Sequence, residues 1–284
     1  MFVIAGVTGH VGSVAAHSLM EKGQKIKILV RDEKKGKDWS KKGAEVAIGD
    51  LENQEFLTAA FKGAKAIFLL LPPNWASKNI LADQKKLGAT MAAAVKAAHV
   101  PHVVLLSSNG ADIADGTGPI KGLFHFENAL RGTGTKVTAI RAGMFMENVG
   151  QAIMAAKSAG IYPNMIPSRD MAMPMIATKD IGQLVAQVMM EGPKTEIICL
   201  NGPAYSINQL AEKVSKALNK KLNIVDIPQS GWLNALTKAG VPQPWAEQYV
   251  EMYNGLLAGT ITAKGDRTVV GKTEVDEVIK GILS

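Results

Sequence analysis

The 284-residue sequence predicts an α/β fold: a doubly wound parallel sheet with a smaller, discontinuous C-terminal domain. Three observations predict it. Short apolar runs recur through the first half of the chain, helical patterns lie between them, and a glycine-rich turn joins the first run to the first helix. Each strand–helix–strand step is the pattern of a βαβ unit, whose strands are parallel.

The apolar runs are predicted to be strands buried on both faces of the sheet. They are short, several are rich in β-branched residues, and most lack polar alternation. The predicted strands are residues 2–5, 26–30, 45–48, 66–71, 103–107 and 137–141. The predicted helices between them are residues 12–22, 54–61, 79–98 and 123–132.

The pattern changes after about residue 150. Residues 155–175 contain three prolines and few regular periods, which predicts irregular structure. Beyond them we expect helices at 180–190, 206–218 and 242–258 and one more strand at 196–200. We therefore assign residues 1–150 and 177–200 to the large sheet domain, and residues 151–176 and 201–284 to a small substrate-binding domain.

Composition limits the classes of function. The chain is 47% hydrophobic and 20% charged, as in ordinary globular proteins. The single cysteine, Cys199, allows no intramolecular disulfide and fits a reducing cytoplasm. No basic leader and no apolar run of about 18–20 residues is visible, so we expect neither export nor a membrane span.

The net charge of +7 raises the question of nucleic acid. The lysines are scattered apart from residues 34–42, and no aromatic platform interleaves with that stretch to stack bases. We expect no nucleic-acid partner, because an anionic small molecule explains the charge at least as well.

The strongest motif is a glycine turn, GVTGHVG at residues 6–12, directly after the first strand. Its glycines permit a tight turn, let backbone approach a pyrophosphate and let the helix pack on the strand, as in Rossmann-type dinucleotide sites. The following helix N-terminus offers unpaired N–H groups to phosphate. The predicted phosphate-loop residues are Gly6, Thr8, Gly9, His10, Val11 and Gly12.

The end of the second strand predicts the choice between the two nicotinamide dinucleotides. An NAD site places an acidic residue there, but here the sequence is Val30-Arg31-Asp32. Arg31 offers a planar fork to a 2′-phosphate, and Lys35 adds a second charge. The sequence therefore predicts NADP(H) as cofactor; a solvated basic turn is the alternative.

Other strand ends are expected to complete the cleft, because ligands of such sheets bind beyond the carboxyl ends of the strands. The third strand supplies Asp50 and Leu51 for the adenine. The fourth supplies Leu71, Pro72 and Pro73 for the ribose and nicotinamide, and the fifth supplies Ser107 and Ser108.

These residues resemble the NmrA-like group of atypical short-chain dehydrogenase/reductases. The resemblance lies in Gly6–Gly12, Val30-Arg31, Gly49-Asp50, Ser107-Ser108 and above all in RAGMFMEN at residues 141–148. The tail AGVPQPW at residues 239–245 is similar to that of quinone, azo-dye and triphenylmethane reductases. The resemblance implies an NADP(H) site including Gly143 and Phe145, a small C-terminal substrate domain and reduction of conjugated aromatic acceptors. The same family also contains relatives that only sense the cofactor and bind a partner protein.

One expected feature is missing. Most short-chain dehydrogenases use a YxxxK pair to transfer the substrate proton. None of the four tyrosines has lysine four residues on, and alignment with the family puts Leu123 at the lysine position. This departure puts simple carbonyl reduction in doubt. A conjugated acceptor spreads the incoming charge and needs mainly a flat apolar pocket and orientation.

Several side chains are candidates for that pocket and for chemistry, although most apolar residues at helical spacing are core. The proposed substrate residues are Phe145, Asn148, Trp245 and Tyr249, with Met146, Met171, Met173 and Tyr253 as further candidates. His125 is the candidate catalytic residue, near Glu127 on the helix after the fifth strand; a structural or exposed histidine is the alternative. The other histidines have no ligand spacing, so we predict no metal.

The leading hypothesis is an NADPH-dependent, cytoplasmic reductase of quinone-like or other conjugated aromatic compounds. Its rival is a non-catalytic protein that senses NADP(H) and binds a partner protein. The sequence is compatible with a homodimer and does not set the oligomeric state.

Overall fold

The centre of the computed structural model, which describes all 284 residues, is an eight-stranded sheet in which every pair of neighbours is parallel. From one edge to the other the strands are β13 (Arg267–Val270), β10 (Glu196–Asn201), β6 (Lys136–Ala142), β5 (His102–Ser108), β4 (Ala66–Leu69), β1 (Phe2–Ile4), β2 (Ile26–Val30) and β3 (Glu45–Ile48). The strand order reverses between β1 and β4, which opens a crevice for ligands there.

Helices cover both faces of this sheet, and the predicted doubly wound α/β fold is confirmed. One face carries α1 (His10–Glu21), α2 (Glu33–Lys41) and α7 (Thr178–Glu191) over a core of 26 buried residues. The other carries α3 (Gln54–Phe61), α4 (Ile80–Ala97) and α5 (Ile120–Arg131) over a core of 19. Side-chain caps begin three of these helices: Asp32 for α2, Asn53 for α3 and Asn79 for α4.

The rest of the chain forms smaller sheets and helices around a third core of 17 buried residues. The strands are β7 (Met144–Phe145), β9 (Met173–Ile176) and β11 (Ala204–Tyr205) in one sheet, and β8 (Ile161–Asn164) and β12 (Asn223–Asp226) in another. The helices are α6 (Val149–Ala159), α8 (Ile207–Leu218), α9 (Trp232–Lys238), α10 (Gln243–Leu257) and α11 (Val275–Leu283).

The lysine-rich stretch 34–42, which was not predicted to be regular, lies mostly in α2. Its polar residues face solvent, while Trp39 is buried and its ring centroid lies 4.6 Å from that of His17 in α1. Gly36 has no room for a side chain, because a Cβ would lie 2.6 Å from Val46. A single buried tryptophan on an otherwise charged helix gives too weak an apolar period to read from the sequence.

Residues 155–175, predicted to be irregular, contain the end of α6 and the strands β8 and β9. Pro163 is accommodated because its strand belongs to a two-stranded sheet, where one side of the backbone needs no ladder partner. A second difference concerns Arg267–Val270, assigned from the sequence to the small domain. These residues form β13 and complete the edge of the large sheet against β10.

None of the helices combines the length and the apolarity that crossing a bilayer requires.

Candidate functional site

The turn between β1 and α1 leaves the start of the helix open. The Gly9 N–H donates to the Gly6 carbonyl at 3.0 Å, and the first helical bond runs from Ser13 N–H to the Gly9 carbonyl at 3.1 Å. The N–H groups of His10, Val11 and Gly12 therefore lack intrahelical acceptors, and no side chain caps this end. Such an uncapped helix N-terminus can bind phosphate.

Two of the three glycines, Gly6 and Gly12, are required by the geometry of this turn. Gly6 has φ +72°, a conformation that favours glycine. A Cβ on Gly12 would lie 2.4 Å from the Gly6 carbonyl oxygen, so any larger residue would push α1 away from the turn. Thr8, Gly9 and His10 are exposed, whereas Val11 is buried. The exposed side of the turn is thus mostly backbone, which a ligand can approach closely.

The end of β2 carries the unpaired guanidinium of Arg31 next to the carboxylate of Asp32, which is already hydrogen-bonded within the chain. Asp32 Oδ1 accepts from the Lys34 N–H at 2.8 Å and caps α2. Arg31 is exposed and forms no ion pair, and Lys35 is likewise exposed and unpaired. Asp32 therefore does not neutralise Arg31, and the positive charge at this strand end is available to an anion.

The ends of β3 and β4 lie on either side of the glycine turn in the sheet. Asp50 is exposed, and its Oδ1 accepts from the Glu52 N–H at 2.9 Å, which shapes the turn after β3. Leu51 and Leu71 are half-buried and pack against the core under α3 and α4. Pro72 and Pro73 are exposed and begin the loop that leads to α4.

The two serines at the end of β5 differ in their surroundings. Ser107 is buried, and its hydroxyl donates to Glu127 Oε1 of α5 at 2.6 Å. Ser108 is half-buried, and its hydroxyl donates to the Asn109 carbonyl at 3.0 Å. The predicted contribution of Ser107 to the cleft is therefore limited to backbone, because its side chain faces the helix layer.

Glu127 is the centre of a buried charge cluster. Arg141 donates to it through Nε at 3.0 Å and Nη2 at 2.8 Å, and Arg131 donates from α5 at 2.7 Å. Arg141 Nη1 reaches the Lys264 carbonyl at 3.0 Å. Burial acts to lower the pKa of Arg141, but the hydrogen bonds and charge of Glu127 outweigh it and raise that pKa. This cluster joins α5 to β6 and to the segment before β13.

The RAGMFMEN segment crosses from the large sheet to the smaller part of the protein. Gly143 packs against Asn201, whose Oδ1 would lie 2.4 Å from a Cβ there. Phe145 is half-buried and packs against the core cluster that contains Val7 and Val11 of the glycine turn region. Asn148 is exposed at the end of a 3₁₀ turn over Met146–Asn148.

Glu147, in the same 3₁₀ turn, fixes the segment in place. Its Oε1 accepts from the Thr178 N–H at 2.9 Å and from the Thr178 hydroxyl at 2.5 Å. Thr178 is the first residue of α7, so the carboxylate lies at the positive end of that helix. Glu147 was not predicted from the sequence to have a role, because its partner lies 31 residues away and no local spacing indicates the pair.

Of the two aromatic residues predicted on α10, Trp245 is buried and Tyr249 is half-buried. Trp245 Nε1–H donates to the Asn74 carbonyl at 2.9 Å, so the indole holds the loop after β4 rather than presenting a face. Burial, and then the neighbouring Tyr253, raise the pKa of Tyr249, which keeps its phenol protonated.

His125 is not brought to the strand ends. Glu127, two residues further along α5, faces the sheet, and residues two apart on a helix point in nearly opposite directions. His125 is half-buried, edge-on to Phe124 with 5.2 Å between ring centroids. Burial and the nearby charge of Lys85 on α4 lower the pKa of His125. The proposed catalytic role thus has no geometric support from the other site residues.

Trp75, which lies in the loop after β4, was not predicted from the sequence as a site residue. Its ring centroid is 5.0 Å from that of Trp245, and the side chain is 47% exposed. The available signal was an aromatic residue two positions after Pro73, which was itself predicted to lie at the cleft.

Comparison with known proteins gives consistent matches over nearly the whole chain. A family model described as NmrA-like family matches residues 1–278. The NAD(P)H azoreductase of Xenophilus azovorans is 26% identical over 255 residues, which cover 89% of this chain and 86% of that protein.

Two solved structures are similar in fold. The NADPH-dependent quinone oxidoreductase of Escherichia coli, crystallised with NADPH, is 21% identical with a TM-score of 0.84, and the match covers all of both chains. The triphenylmethane reductase of Citrobacter sp., crystallised with NADP(H), is 22% identical with a TM-score of 0.84, over 99% of this chain and 100% of that one.

Proposed function

The chain belongs to the NmrA-like family, and on that premise we propose that it is an NADPH-dependent reductase of quinone-like or other conjugated aromatic compounds. The relatives described above are named for azo, quinone and triphenylmethane reduction, which supports an oxidoreductase that uses NADPH.

The observation that carries the proposal is the pairing of an uncapped helix start with an unpaired guanidinium. The N–H groups of His10, Val11 and Gly12 have no internal acceptors, and Arg31 has no acidic partner. A pyrophosphate would satisfy the first group and a ribose 2′-phosphate the second. The residues present therefore fit NADP(H), and Lys35 would add to the charge that holds it.

When bound, NADPH would supply a hydride. The chain's own residues bind and orient: the glycine turn would hold the phosphates, and Phe145 and Leu71 would border the nicotinamide end of the cleft. Ser107 cannot release its proton to a substrate, because its hydroxyl is directed into Glu127. An acceptor that spreads charge over a conjugated system needs no positioned acid, since water can protonate it afterwards.

The test is steady-state oxidation of NADPH with a panel of quinones, azo dyes and triphenylmethane dyes. We expect turnover with at least one class and a lower rate with NADH. Tight NADPH binding with no turnover on any acceptor would overturn the reductase and favour a cofactor sensor. In that case a partner protein should associate differently in the presence of NADP⁺ and NADPH.

We also propose a division into two domains, supported by the separate cores of the large sheet and of the C-terminal part. Residues 267–270 then belong with the large domain. A cytoplasmic location is compatible with the single cysteine, and a homodimer stays a proposal that light scattering of the purified protein would test.

A further inference from the structure

Trp75 differs from the other three tryptophans in its exposure. Trp39, Trp232 and Trp245 are each at most 9% exposed, whereas Trp75 is 47% exposed. Leaving half of an indole in water forgoes hydrophobic stabilisation that burial would provide. An isolated exposed aromatic needs no special explanation, but this one lies in a strand-end loop, where function concentrates.

Hydrogen bonds attach the loop that carries Trp75 to α10 and to α4. The Asn74 carbonyl accepts from Trp245 Nε1–H at 2.9 Å and from the Ser77 N–H at 3.0 Å. The Asn74 side chain accepts from the Ala76 N–H at 3.2 Å, and the Ser77 hydroxyl donates to Asp83 of α4 at 2.6 Å. The exposed ring is therefore attached to a fixed backbone, which lowers the entropy that a stacking ligand would cost.

The loop also starts against the phosphate-binding turn. Leu70 Cδ2 would lie 2.6 Å from a Cβ on Gly6, so the chain after β4 leaves the sheet in contact with the glycine turn. On its other side the Trp75 ring lies against Trp245, which in turn lies 6.0 Å from Tyr249 between ring centroids. Trp75 is thus the solvent-facing end of an aromatic row, and it is carried by a loop that begins at the glycine turn.

We propose that Trp75 is a specificity-determining residue of the substrate site, and that its open face stacks on the planar ring system of the acceptor. The proposal rests on the proposed function for the identity of the acceptor. Buried Trp245 then anchors the loop, and Trp75 provides the contact surface. The substrate class this selects is flat and conjugated, because a saturated or branched compound cannot lie parallel to an indole.

The first experiment compares Trp75→Ala, Trp75→Phe and the wild type with two flat acceptors, a 1,4-naphthoquinone and an azo dye. We expect the alanine variant to raise KM for both by about tenfold, with kcat changed by less than about twofold and the dissociation constant for NADPH unchanged. Trp75→Phe should have a KM close to that of the wild type. Met154→Ala, which removes another exposed apolar side chain on α6, is the matched control and should leave KM unchanged.

The second experiment measures binding without turnover. With NADP⁺ present, the naphthoquinone should quench the fluorescence of the wild type more than that of Trp75→Phe, which lacks the exposed indole. Equal quenching together with an unchanged KM in Trp75→Ala would overturn the proposal and leave the reductase intact. Selective quenching without turnover of any acceptor would instead support the stacking site and count against the reductase.

Discussion

Glu127 and Arg141 form a two-point ion pair inside the protein, with the two carboxylate oxygens each accepting one guanidinium N–H and both side chains at most 3% exposed. The pair connects α5 with β6 directly behind the ends of the strands that border the cleft. Ser107 and Arg131 share the same carboxylate, so the Glu127 side chain accepts four hydrogen bonds from three residues.

Removal of one partner of this pair should destabilise the fold. Glu127→Ala leaves the buried Arg141 charge with only Asp112, 3.4 Å away and partly exposed, as a partner, and we expect a loss of about 3 kcal/mol in the free energy of unfolding. Urea denaturation followed by circular dichroism measures it. The double variant Glu127→Leu with Arg141→Met, which buries no charge, should be more stable than Glu127→Ala. If it is equally unstable, the loss comes from packing and not from the unpaired charge.

Arg31→Ala should weaken the binding of NADPH far more than the binding of NADH. The side chain has no internal partner, so its removal costs the protein nothing except the contact to the 2′-phosphate, which NADH lacks. Loss of a charge-assisted hydrogen bond should raise the dissociation constant for NADPH by about tenfold to hundredfold, as measured by calorimetric titration. The control is Lys37→Ala, which removes an exposed lysine from α2, the helix that follows Arg31. An equal loss for both coenzymes would show that Arg31 does not recognise the phosphate.

Alanine at Gly9 and at Gly12 should separate binding from stability. A Cβ on Gly9 has its nearest neighbour at 3.4 Å, an ordinary contact, but would occupy the exposed backbone where we expect the pyrophosphate. A Cβ on Gly12 would lie 2.4 Å from the Gly6 carbonyl oxygen. Gly9→Ala should therefore leave the melting temperature unchanged and lower the affinity for NADPH. Gly12→Ala should lower both the melting temperature and the affinity.

The control for this pair is Gly281→Ala in α11, where a Cβ meets nothing within 4 Å. It should leave NADPH binding unchanged and should not lower the melting temperature, because alanine favours a helix more than glycine does. Undiminished affinity in Gly9→Ala would contradict the assignment of this turn to phosphate.

His102 should make stability depend on pH. Burial lowers its pKa, with the charge of Glu196 opposing this in part, so the folded protein binds the proton less readily than the unfolded chain. Stability is therefore complete above the unfolded pKa of about 6.5 and decreases as the pH falls below it towards the lower folded pKa. The urea midpoint measured between about pH 5 and pH 8 should fall on the acid side.

The comparison variant is His102→Gln, which has no titrating group and can still donate to the Thr138 hydroxyl, the group that His102 Nε2 meets at 3.0 Å. Its stability should fall less on acidification than that of the wild type. Parallel curves for the two proteins would assign the acid sensitivity to other groups.

The sequence predicted the parts of the fold that carry a strong pattern. Strands buried on both faces appear as short apolar runs, and the glycine turn lies between one of them and a helix, so the sheet and this turn could both be located. Strands of two residues, such as Met144–Phe145 and Ala204–Tyr205, are too short to show any period. They form because tertiary packing brings them beside β9.

The site was harder to predict than the sheet, because residue type alone does not fix the direction of a side chain. Ser107 and Trp245 were both placed at the cleft, but one hydroxyl is directed into α5 and one indole is buried against a loop 171 residues away in sequence. Trp75 was passed over because its exposure depends on that same long-range contact. The position of a residue along the chain predicts whether it lies near the candidate site. Only three-dimensional packing shows which of these side chains are exposed to a ligand and which hold other residues in place.

The position of β13 has a consequence for the order in which the protein is made. This edge strand comes from residues 267–270, so more than 60 residues must be made after β10 before β10 gains its last neighbour. Until then β10 is an open edge, and Arg141 lacks the Lys264 carbonyl that accepts from it. An open edge strand can pair with another chain, so a chain truncated before Arg267 should aggregate rather than form a shorter working enzyme.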